Sequence, residues 1–331
     1  MAAPPLVEIP RVDERLAEDL ATGLAEVERM LRASVESEDA FITEAARHVM
    51  EAGGKRFRAM LVLLAAQFGD PKAPAVVPGA VVIELTHLAT LYHDDVMDQA
   101  PMRRGLPSAN ARFGDTVAIL TGDYLFAQAS EILADLGAEA IRVQARTFSR
   151  LVRGQIRETI GPPEGMDPIT HYLQVLADKT GSLIATSGRF GAMLSGAPRE
   201  VEERLAGACE AIGVAWQLGD DIIDVVSDGS VSGKTPGTDL REGVRTLPVL
   251  YALASTDPAD ERLRTLLSGP VAEQDIEEAL TLLRAHPAMD MARKELVKWA
   301  DQAKDALSGL PDIPARTALI RLCDWVVERT A

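Results

Sequence analysis

Apolar residues recur three and four positions apart along most of the chain, and this spacing predicts amphipathic helices. The period is clear in LAEDLATGLAEVERMLRASV, IRVQARTFSRLVRGQIRETI and RLAGACEAIGVAWQLGDDIIDVV. These segments are rich in helix-favouring residues, and no alternating pattern typical of strands appears. Pro and Gly concentrate in stretches that are typical of loops, at residues 69–79, 161–168, 227–243 and 308–314. We therefore predict one all-α domain over residues 1–331, with residues 1–12 as a flexible N-terminal tail.

Composition and charge narrow the class of protein. The 331 residues are 47% hydrophobic and 25% charged, which is typical of a globular protein. A net charge of -16 repels a phosphate backbone, so we expect no nucleic-acid partner. The start, MAAPPLVEIPRVDERL, predicts no signal peptide, and no stretch has the roughly 20 uninterrupted apolar residues that span a bilayer. Cys209 and Cys323 lie far apart and outside any CxxC pattern, which fits a reducing cytoplasm.

Two acidic clusters follow apolar helical runs, in YHDDVMD and LGDDIID. Positions three and four apart share a helix face, so each DDxxD motif forms one cluster. The members are Asp94, Asp95 and Asp98 in the first cluster, and Asp220, Asp221 and Asp224 in the second. Their repulsion requires a cation, and open carboxylate oxygens suit Mg²⁺, which keeps phosphate and water as further ligands. One motif could be a solvated helix face, but two arise by chance roughly one time in a hundred.

Basic residues form tight local groups although the chain is acidic overall. They are Lys55, Arg56 and Arg58 in GGKRFR, Arg103 and Arg104 in PMRRG, Lys179 with Thr180 in DKTG, and Lys234 in SGKTPG. Glycine permits close backbone approach to phosphate, arginine binds it through two donors, and lysine supplies a point charge. Taken singly, each group is typical of a solvated surface. Their position next to the acidic clusters instead favours diphosphate binding.

Three further features bear on the chemistry: the SGKT segment, His87 and Gln217. SGKT is not a P-loop, because GxxxxGK[ST] requires glycine where the chain has Asp228, and the segment follows a helix. His87 lies seven residues before Asp94 and nearly in line with it, which favours diphosphate contact over a buried structural role. Zinc is disfavoured because His93 points elsewhere and no cysteine is near. Gln217, one turn before the second cluster, is placed to contact a ligand or orient the metal shell.

Together, GGKRFR, LTHLATLYHDDVMD, PMRRG, DKTG and QLGDDIIDVVSDGSVSGKTPGTDL resemble the trans-isoprenyl diphosphate synthases, the polyprenyl synthetase family. The matches run in the family's order from about residue 50 to about residue 250. The resemblance implies the isoprenoid synthase fold, an all-helical bundle around a deep central cavity. Within one chain, the two aspartate motifs would face each other at the mouth of this cavity. The resemblance also implies that two copies of the chain form a homodimer. Ala59 stands where the family often has proline.

The resemblance also implies roles for the residues that match. The metal ligands would be Asp94, Asp95, Asp98, Asp220 and Asp224, and Asp221, Lys179 and Lys234 would complete the catalytic set. The contacts to an allylic diphosphate would be Arg103, Lys179, Thr180, Gln217 and Lys234. The contacts to isopentenyl diphosphate would be Lys55, Arg58, His87 and Arg104. Arg56 matches the motif without an assigned role.

The implied reaction is a Mg²⁺-dependent head-to-tail condensation of isopentenyl diphosphate with an allylic prenyl diphosphate. It proceeds by ionisation, attack and proton loss. In the family, bulky aromatic residues four or five positions before the first motif block the growing chain, and here those positions are Thr90 and Ala89. Because both are small, we expect a long all-trans polyprenyl diphosphate. Transient membrane contact would help to release such a product, although no basic amphipathic helix requires it.

Three alternatives remain open. A short-chain synthase that makes farnesyl or geranylgeranyl diphosphate would carry the same motifs. A class I terpene cyclase pairs DDxxD with an Asn/Ser/Glu motif, whereas residues 217–224 read QLGDDIID. A noncatalytic partner subunit of a heteromeric synthase tends to lose one aspartate cluster, and both are intact here.

Overall fold

The computed structural model describes residues 13–227 and 236–330, and it confirms the predicted all-α class. The helices are α1 (Glu14–Ser34), α2 (Ala40–Glu51), α3 (Phe57–Ala66), α4 (Val76–Met97), α5 (Ala109–Phe113), α6 (Asp115–Leu136), α7 (Ala138–Ile160), α8 (Pro168–Leu176), α9 (Ser182–Leu194), α10 (Arg199–Val226), α11 (Thr238–Glu242), α12 (Leu247–Leu253), α13 (Glu261–Leu266), α14 (Ile276–Ala285), α15 (Ala288–Ser308) and α16 (Pro314–Glu328). One π-helical turn (Ala177–Gly181) joins α8 to α9, and β1 (Met102–Arg103) pairs with β2 (Leu106–Pro107). The predicted tail at residues 1–12 lies outside the described residues.

The described chain forms two compact units. The first contains the described residues up to Phe148, with Leu183–Cys209 and Gly309–Leu319. The second contains Ser149–Ser182, Glu210–Ser308 and the described residues from Ile320 onward. The prediction of one domain around a central cavity stays a prediction.

Helix α4 is the core of the first unit and packs against α1, α3 and α6. It is apolar on nearly every side, as expected for a helix surrounded by others. It is the one helix among the described residues that is long and apolar enough to cross a membrane. However, 67% of its most apolar window is buried inside the protein, which is typical of the core helix of a globular fold.

The buried carboxylate of Glu84, on α4, determines where α3 begins. Glu84 is 3% exposed, and its Oε1 accepts a hydrogen bond from the Ala59 amide at 3.1 Å. That amide lies in the first turn of α3, where the helix itself offers no acceptor. The helix therefore begins at Phe57 without the proline that the family often has at position 59.

In the second unit, the short helix α12 packs against α8, α14 and α15. The predicted loops at 161–168 and 308–314 connect α7 to α8 and α15 to α16, which confirms them. The predicted loop at 69–79 was wrong at its end, because α4 already begins at Val76. Pro78 therefore lies in the first turn of the helix, where a residue needs no amide donor. Within 227–243 the structure contains α11, and residues 228–235 lie outside the described part.

Candidate active site

The first acidic cluster ends α4, and its three carboxylates have different surroundings. Asp95 is fully buried, Asp94 is half-buried and Asp98 is exposed. Asp95 accepts a hydrogen bond from Arg103 Nε at 2.7 Å and another from the Ala109 amide at 3.3 Å. Asp95 therefore holds the segment that follows the cluster, whereas Asp94 and Asp98 are accessible. The predicted roles of Asp95 in metal binding and of Arg103 in diphosphate binding stay predictions, although each has a partner within the protein.

A tight β-hairpin carries the two arginines of PMRRG. Its turn residues, Arg104 and Gly105, have φ of 52° and 79°, which is the left-handed geometry of a type I′ turn. The Arg104 guanidinium donates to the Gly53 carbonyl. A Cβ on Gly54 would lie 2.8 Å from Arg104 Nη1, so this glycine leaves room for the guanidinium. The hairpin thus joins PMRRG to GGKRFR, which the sequence separates by about 50 residues.

Within GGKRFR the three cations differ. Lys55 is exposed and Arg58 is half-buried. Arg56 is only 5% exposed, and it donates to Glu28 at 2.9 Å and to the Met50 carbonyl at 3.1 Å. The structure therefore gives Arg56 a structural role, tying α1 to the start of α3.

Arg58, Arg104 and His87 lie close enough to influence one another's charge, and we call this group the cation pocket. The pKa of Arg58 is lowered to about 10, mainly by burial; Glu84 opposes the change and Arg104 contributes to it. Burial holds the pKa of His87 well below its usual range, and the neighbouring arginines, first Arg58 and then Arg104, add to this. Among the described residues, the buried Arg58 Nε has no hydrogen-bond partner. An orphaned cationic donor beside a neutral histidine is an arrangement that an anion would complete.

The two chain-length positions lie differently on α4. Ala89 is fully buried, and a Cβ on Gly122 of α6 would lie 3.1 Å from its carbonyl oxygen. Thr90 is half-buried and donates its hydroxyl to the His87 carbonyl at 2.8 Å. A larger residue at the fully buried Ala89 would therefore have to displace its neighbours, whereas Thr90 is partly accessible.

In the second unit, α10 carries Gln217 and the second acidic cluster. Asp221 is 5% exposed and accepts hydrogen bonds from the Tyr172 hydroxyl and, at 3.2 Å, from Gln217 Nε2. Asp220 pairs with Arg329, whose Nη1 lies 2.8 Å from Asp220 Oδ1. As in the first cluster, the second aspartate of the motif is buried and held by the protein.

Asp224, the last carboxylate of the second cluster, is used at the start of α11. It accepts hydrogen bonds from the amides of Thr238 at 3.2 Å and Asp239 at 3.1 Å. A carboxylate at a helix N-terminus is favourable because it satisfies amides that lack helical partners. Asp224 therefore anchors the segment after residues 228–235. Lys234, predicted to contact the allylic diphosphate, lies outside the described residues.

Lys179 and Thr180 lie in the π-helical turn between α8 and α9. A Cβ on Gly154 would lie 2.6 Å from the Lys179 amide, so only glycine lets α7 approach this turn so closely. Lys179 Nζ pairs with Glu158, one turn further along α7. The single wide turn directs the lysine away from a regular helical position, which is a common use of π-helical turns at functional sites.

A partly buried ion-pair network, centred on Asp178, supports that turn. Asp178 accepts hydrogen bonds from Arg150 Nε and Arg157 Nη1, each at 2.6 Å. Arg150 also binds Glu210 through two nitrogens, at 2.9 Å and 2.6 Å, and these contacts raise the pKa of Arg150. The network fixes the residue next to Lys179.

The donor set of both clusters fits a hard divalent cation. It consists of carboxylate oxygens, which Mg²⁺ prefers, and one or two of them suffice when phosphate and water complete the shell. Within the described ranges, no group of three or more His, Cys, Asp or Glu side chains could hold an ion by itself. The chemistry therefore fits a metal that arrives with a phosphate-bearing substrate. Of the predicted ligands, Asp94, Asp98, Asp220 and Asp224 are half-buried or exposed, whereas Asp95 is buried.

Sequence reasoning missed three residues that surround these sites. Tyr172 lies seven residues, or two helical turns, before Lys179. This spacing could have placed Tyr172 on the same helix face as Lys179 and so near the site. Glu84 interrupts an apolar stretch of the sequence, but the amide that donates to it lies 25 residues away. Arg329 had no local signal, because it lies 109 residues from Asp220.

A family model described as polyprenyl synthetase matches residues 39–283. The chain belongs to the polyprenyl synthetase family. Nonaprenyl diphosphate synthase of Mycobacterium tuberculosis is 51% identical over 319 residues, covering 96% of this chain and 95% of that protein. Heptaprenyl diphosphate synthase component 2 of Geobacillus stearothermophilus is 38% identical over 314 residues, covering 94% and 97%.

Among solved structures, geranylgeranyl pyrophosphate synthase from Corynebacterium glutamicum, complexed with calcium and isoprenyl diphosphate, is similar with a TM-score of 0.88. It is 42% identical, and the match covers 97% of this chain and 100% of that one. As a polyprenyl synthetase, the protein is a trans-prenyltransferase with the isoprenoid synthase fold, as predicted. Use of a divalent metal follows from the family, and the terpene cyclase alternative is disfavoured.

Proposed function

We propose that this polyprenyl synthetase uses Mg²⁺ to condense isopentenyl diphosphate with an allylic diphosphate and makes a long all-trans polyprenyl diphosphate. The observation that supports it best is the cation pocket of the first unit, formed by Arg58, Arg104 and His87. Its pKa values are lowered and Arg58 Nε lacks an acceptor among the described residues. A diphosphate would supply the missing charge and acceptors.

The pocket would hold isopentenyl diphosphate. Arg58 and Arg104 offer fork-shaped donors, Lys55 offers an exposed point charge, and His87 offers a ring nitrogen. His87 lies two turns before Asp94 on α4, so the same helix carries the pocket and the first acidic cluster. We assign Lys55, Arg58, His87 and Arg104 to this substrate.

The allylic diphosphate would be bound by the lysine of the π-helical turn together with the acidic clusters. The proposed contacts are Arg103, Lys179, Thr180, Gln217 and Lys234, and the proposed metal ligands are Asp94, Asp95, Asp98, Asp220 and Asp224. When bound, Mg²⁺ neutralises the diphosphate and so favours departure of pyrophosphate. Lys179 would stabilise the charge that develops on the leaving group by exchanging Glu158 for the diphosphate, while Asp178 and Gly154 hold the backbone of its turn in place.

Once the allylic C–O bond breaks, the double bond of isopentenyl diphosphate attacks the allylic carbon, and a proton is lost to give a new allylic diphosphate. No side-chain base is evident in the sequence, and pyrophosphate is the acceptor that the family resemblance implies. Apolar walls must exclude water until the new bond forms.

Product length is the finer part of the proposal. Thr90 is small and half-buried, which supports a cavity without the aromatic block that the family resemblance implies for short-chain members. Several relatives are named as long-chain synthases. A homodimer in the cytoplasm is our expectation for the working form. The heptaprenyl relative named as a component keeps a heteromeric assembly as the alternative.

The experiment is incubation of the purified protein with Mg²⁺, isopentenyl diphosphate and a panel of allylic primers, followed by extraction and sizing of the products. We expect products longer than geranylgeranyl diphosphate. Products of three or four units would assign a short-chain synthase. No product with any primer, unless a second protein is added, would indicate a partner subunit. Size-exclusion chromatography with light scattering gives the oligomeric state.

A further inference from the structure

Arg329, in the second unit, is held by two hydrogen bonds at the acidic cluster. Its Nη1 donates to Asp220 Oδ1 at 2.8 Å, and its Nη2 donates to the Trp216 carbonyl at 2.5 Å. The side chain is only 13% exposed. Since the two donors belong to one planar fork, the pair of contacts fixes the orientation of the guanidinium as well as its distance from Asp220.

The surroundings of Arg329 fit a guanidinium in shape. Its central carbon lies 4.3 Å from the centre of the Trp216 ring and 5.4 Å from that of Trp325. On the α10 side, a Cβ on Gly219 would lie 2.7 Å from Arg329 Nη2. Two indole rings and a glycine thus form a site from which the guanidinium has little freedom to move.

Within residues 13–227 and 236–330, the hydrogen-bond donors to the other two carboxylates are of a different kind. The hydrogen bonds described above reach Asp221 from a tyrosine hydroxyl and an amide side chain, and reach Asp224 from backbone amides. All of these donors are neutral. Asp220 is the carboxylate of this cluster that pairs with a cation in the described part of the chain, and the pair uses its Oδ1.

We propose that Arg329 is a positioning residue for the second metal cluster, holding Asp220 through Oδ1 in the orientation in which the carboxylate binds the divalent cation. Groups that hydrogen-bond a metal-ligating carboxylate orient it, and their loss typically weakens metal binding about 10- to 100-fold. The inference rests on the proposed role of Asp220 as a metal ligand. A freely moving arginine could instead compete with the metal, but the aromatic site holds this one in place.

The test measures metal binding without turnover. Mn²⁺ is titrated into the full chain in the presence of inorganic pyrophosphate and followed by electron paramagnetic resonance. All variants are made in a protein that carries Asp94→Ala and Asp98→Ala. These two changes remove the accessible carboxylates of the first cluster, so the titration reports on the second cluster. In this background we compare Arg329→Gln, Arg329→Lys and Gly219→Ala. The last variant displaces the guanidinium without changing any charge, and alanine strengthens rather than weakens a helix.

We expect Arg329→Gln to weaken Mn²⁺ binding about 10- to 100-fold. Gly219→Ala should weaken it less, and Arg329→Lys should restore it in part, because an ammonium keeps the charge but not the fork. In the enzyme with an intact first cluster, the Mg²⁺ concentration for half-maximal turnover should rise while kcat at saturating Mg²⁺ changes little. The matched control is Gly207→Ala on the same helix, where a Cβ meets nothing within 4 Å.

Unchanged Mn²⁺ binding in Arg329→Gln would overturn the proposal. Tighter binding would also overturn it, because it would show that Arg329 competes with the metal for Asp220. An equal loss in Gly207→Ala would assign the effect to the helix instead. Circular dichroism melting verifies that each variant is folded. Because Mn²⁺ binding needs no reaction, a wild-type protein without prenyl transfer would refute the proposed function while leaving this test valid.

Discussion

Replacing Glu84 by glutamine tests whether the cation pocket is short of negative charge. Glu84 is a buried carboxylate beside this pocket, with its Oε2 3.9 Å from Arg56 Nη1, and it opposes the lowering of the pKa values of Arg58 and Arg104. Glutamine keeps the shape and the acceptor that the Ala59 amide needs. The change therefore removes the charge and little else.

The loss can be estimated from the geometry. At an effective dielectric constant of about 20, unit charges about 4 Å apart attract by about 4 kcal/mol. Arg56 keeps Glu28 at 2.9 Å, so we expect about half of this, about 2 kcal/mol, to be lost from the free energy of unfolding. For units of this size, that lowers the thermal midpoint by about 4–8 °C. Inorganic pyrophosphate should bind more tightly to the variant, and so raise its midpoint more than that of the wild type.

The assay is thermal unfolding with and without saturating pyrophosphate. The matched control is Glu202→Gln, which removes another partly buried carboxylate of the first unit, 3.1 Å from Arg189. It should lose stability but gain no more from pyrophosphate than the wild type does. If Glu84→Gln also gains no more than the wild type, the pocket does not bind diphosphate through its excess positive charge, and the assignment of Arg58 and Arg104 fails.

Three further predictions concern the reaction. Asp94→Ala and Asp220→Ala should each abolish turnover, measured by product extraction, while the circular dichroism melt still shows a folded protein; near-normal turnover in both would remove the metal assignment. Thr90→Phe should shorten the products, whereas Ala89→Phe should lower the thermal midpoint by overpacking the core of the first unit, at a cost of about 1–3 kcal/mol. The reverse pattern would place the cavity wall at Ala89. The pKa of His87 lies well below its usual range, so the ring is neutral in the free protein, and a bound diphosphate raises that pKa. Binding of pyrophosphate below neutral pH should then take up a proton, seen by calorimetry in two buffers of different ionisation enthalpy, and His87→Asn should abolish the uptake.

The sequence alone was sufficient for the all-α class, the family and the two acidic clusters, because each depends on short-range spacing. A helical period needs only a few turns to be visible, and DDxxD places its carboxylates on one helix face whatever surrounds the helix. The basic groups were visible for the same reason, since GGKRFR and PMRRG are each local in sequence.

Only the tertiary structure decided which members of those groups are accessible. Spacing cannot distinguish Asp94 from Asp95, yet Asp95 is buried against Arg103 and Asp94 is not. Arg56 and Arg58 are two residues apart, but one is paired with Glu28 and the other has an orphaned donor. Burial and pairing depend on residues far away in the chain, and no local pattern specifies which distant segment will pack there.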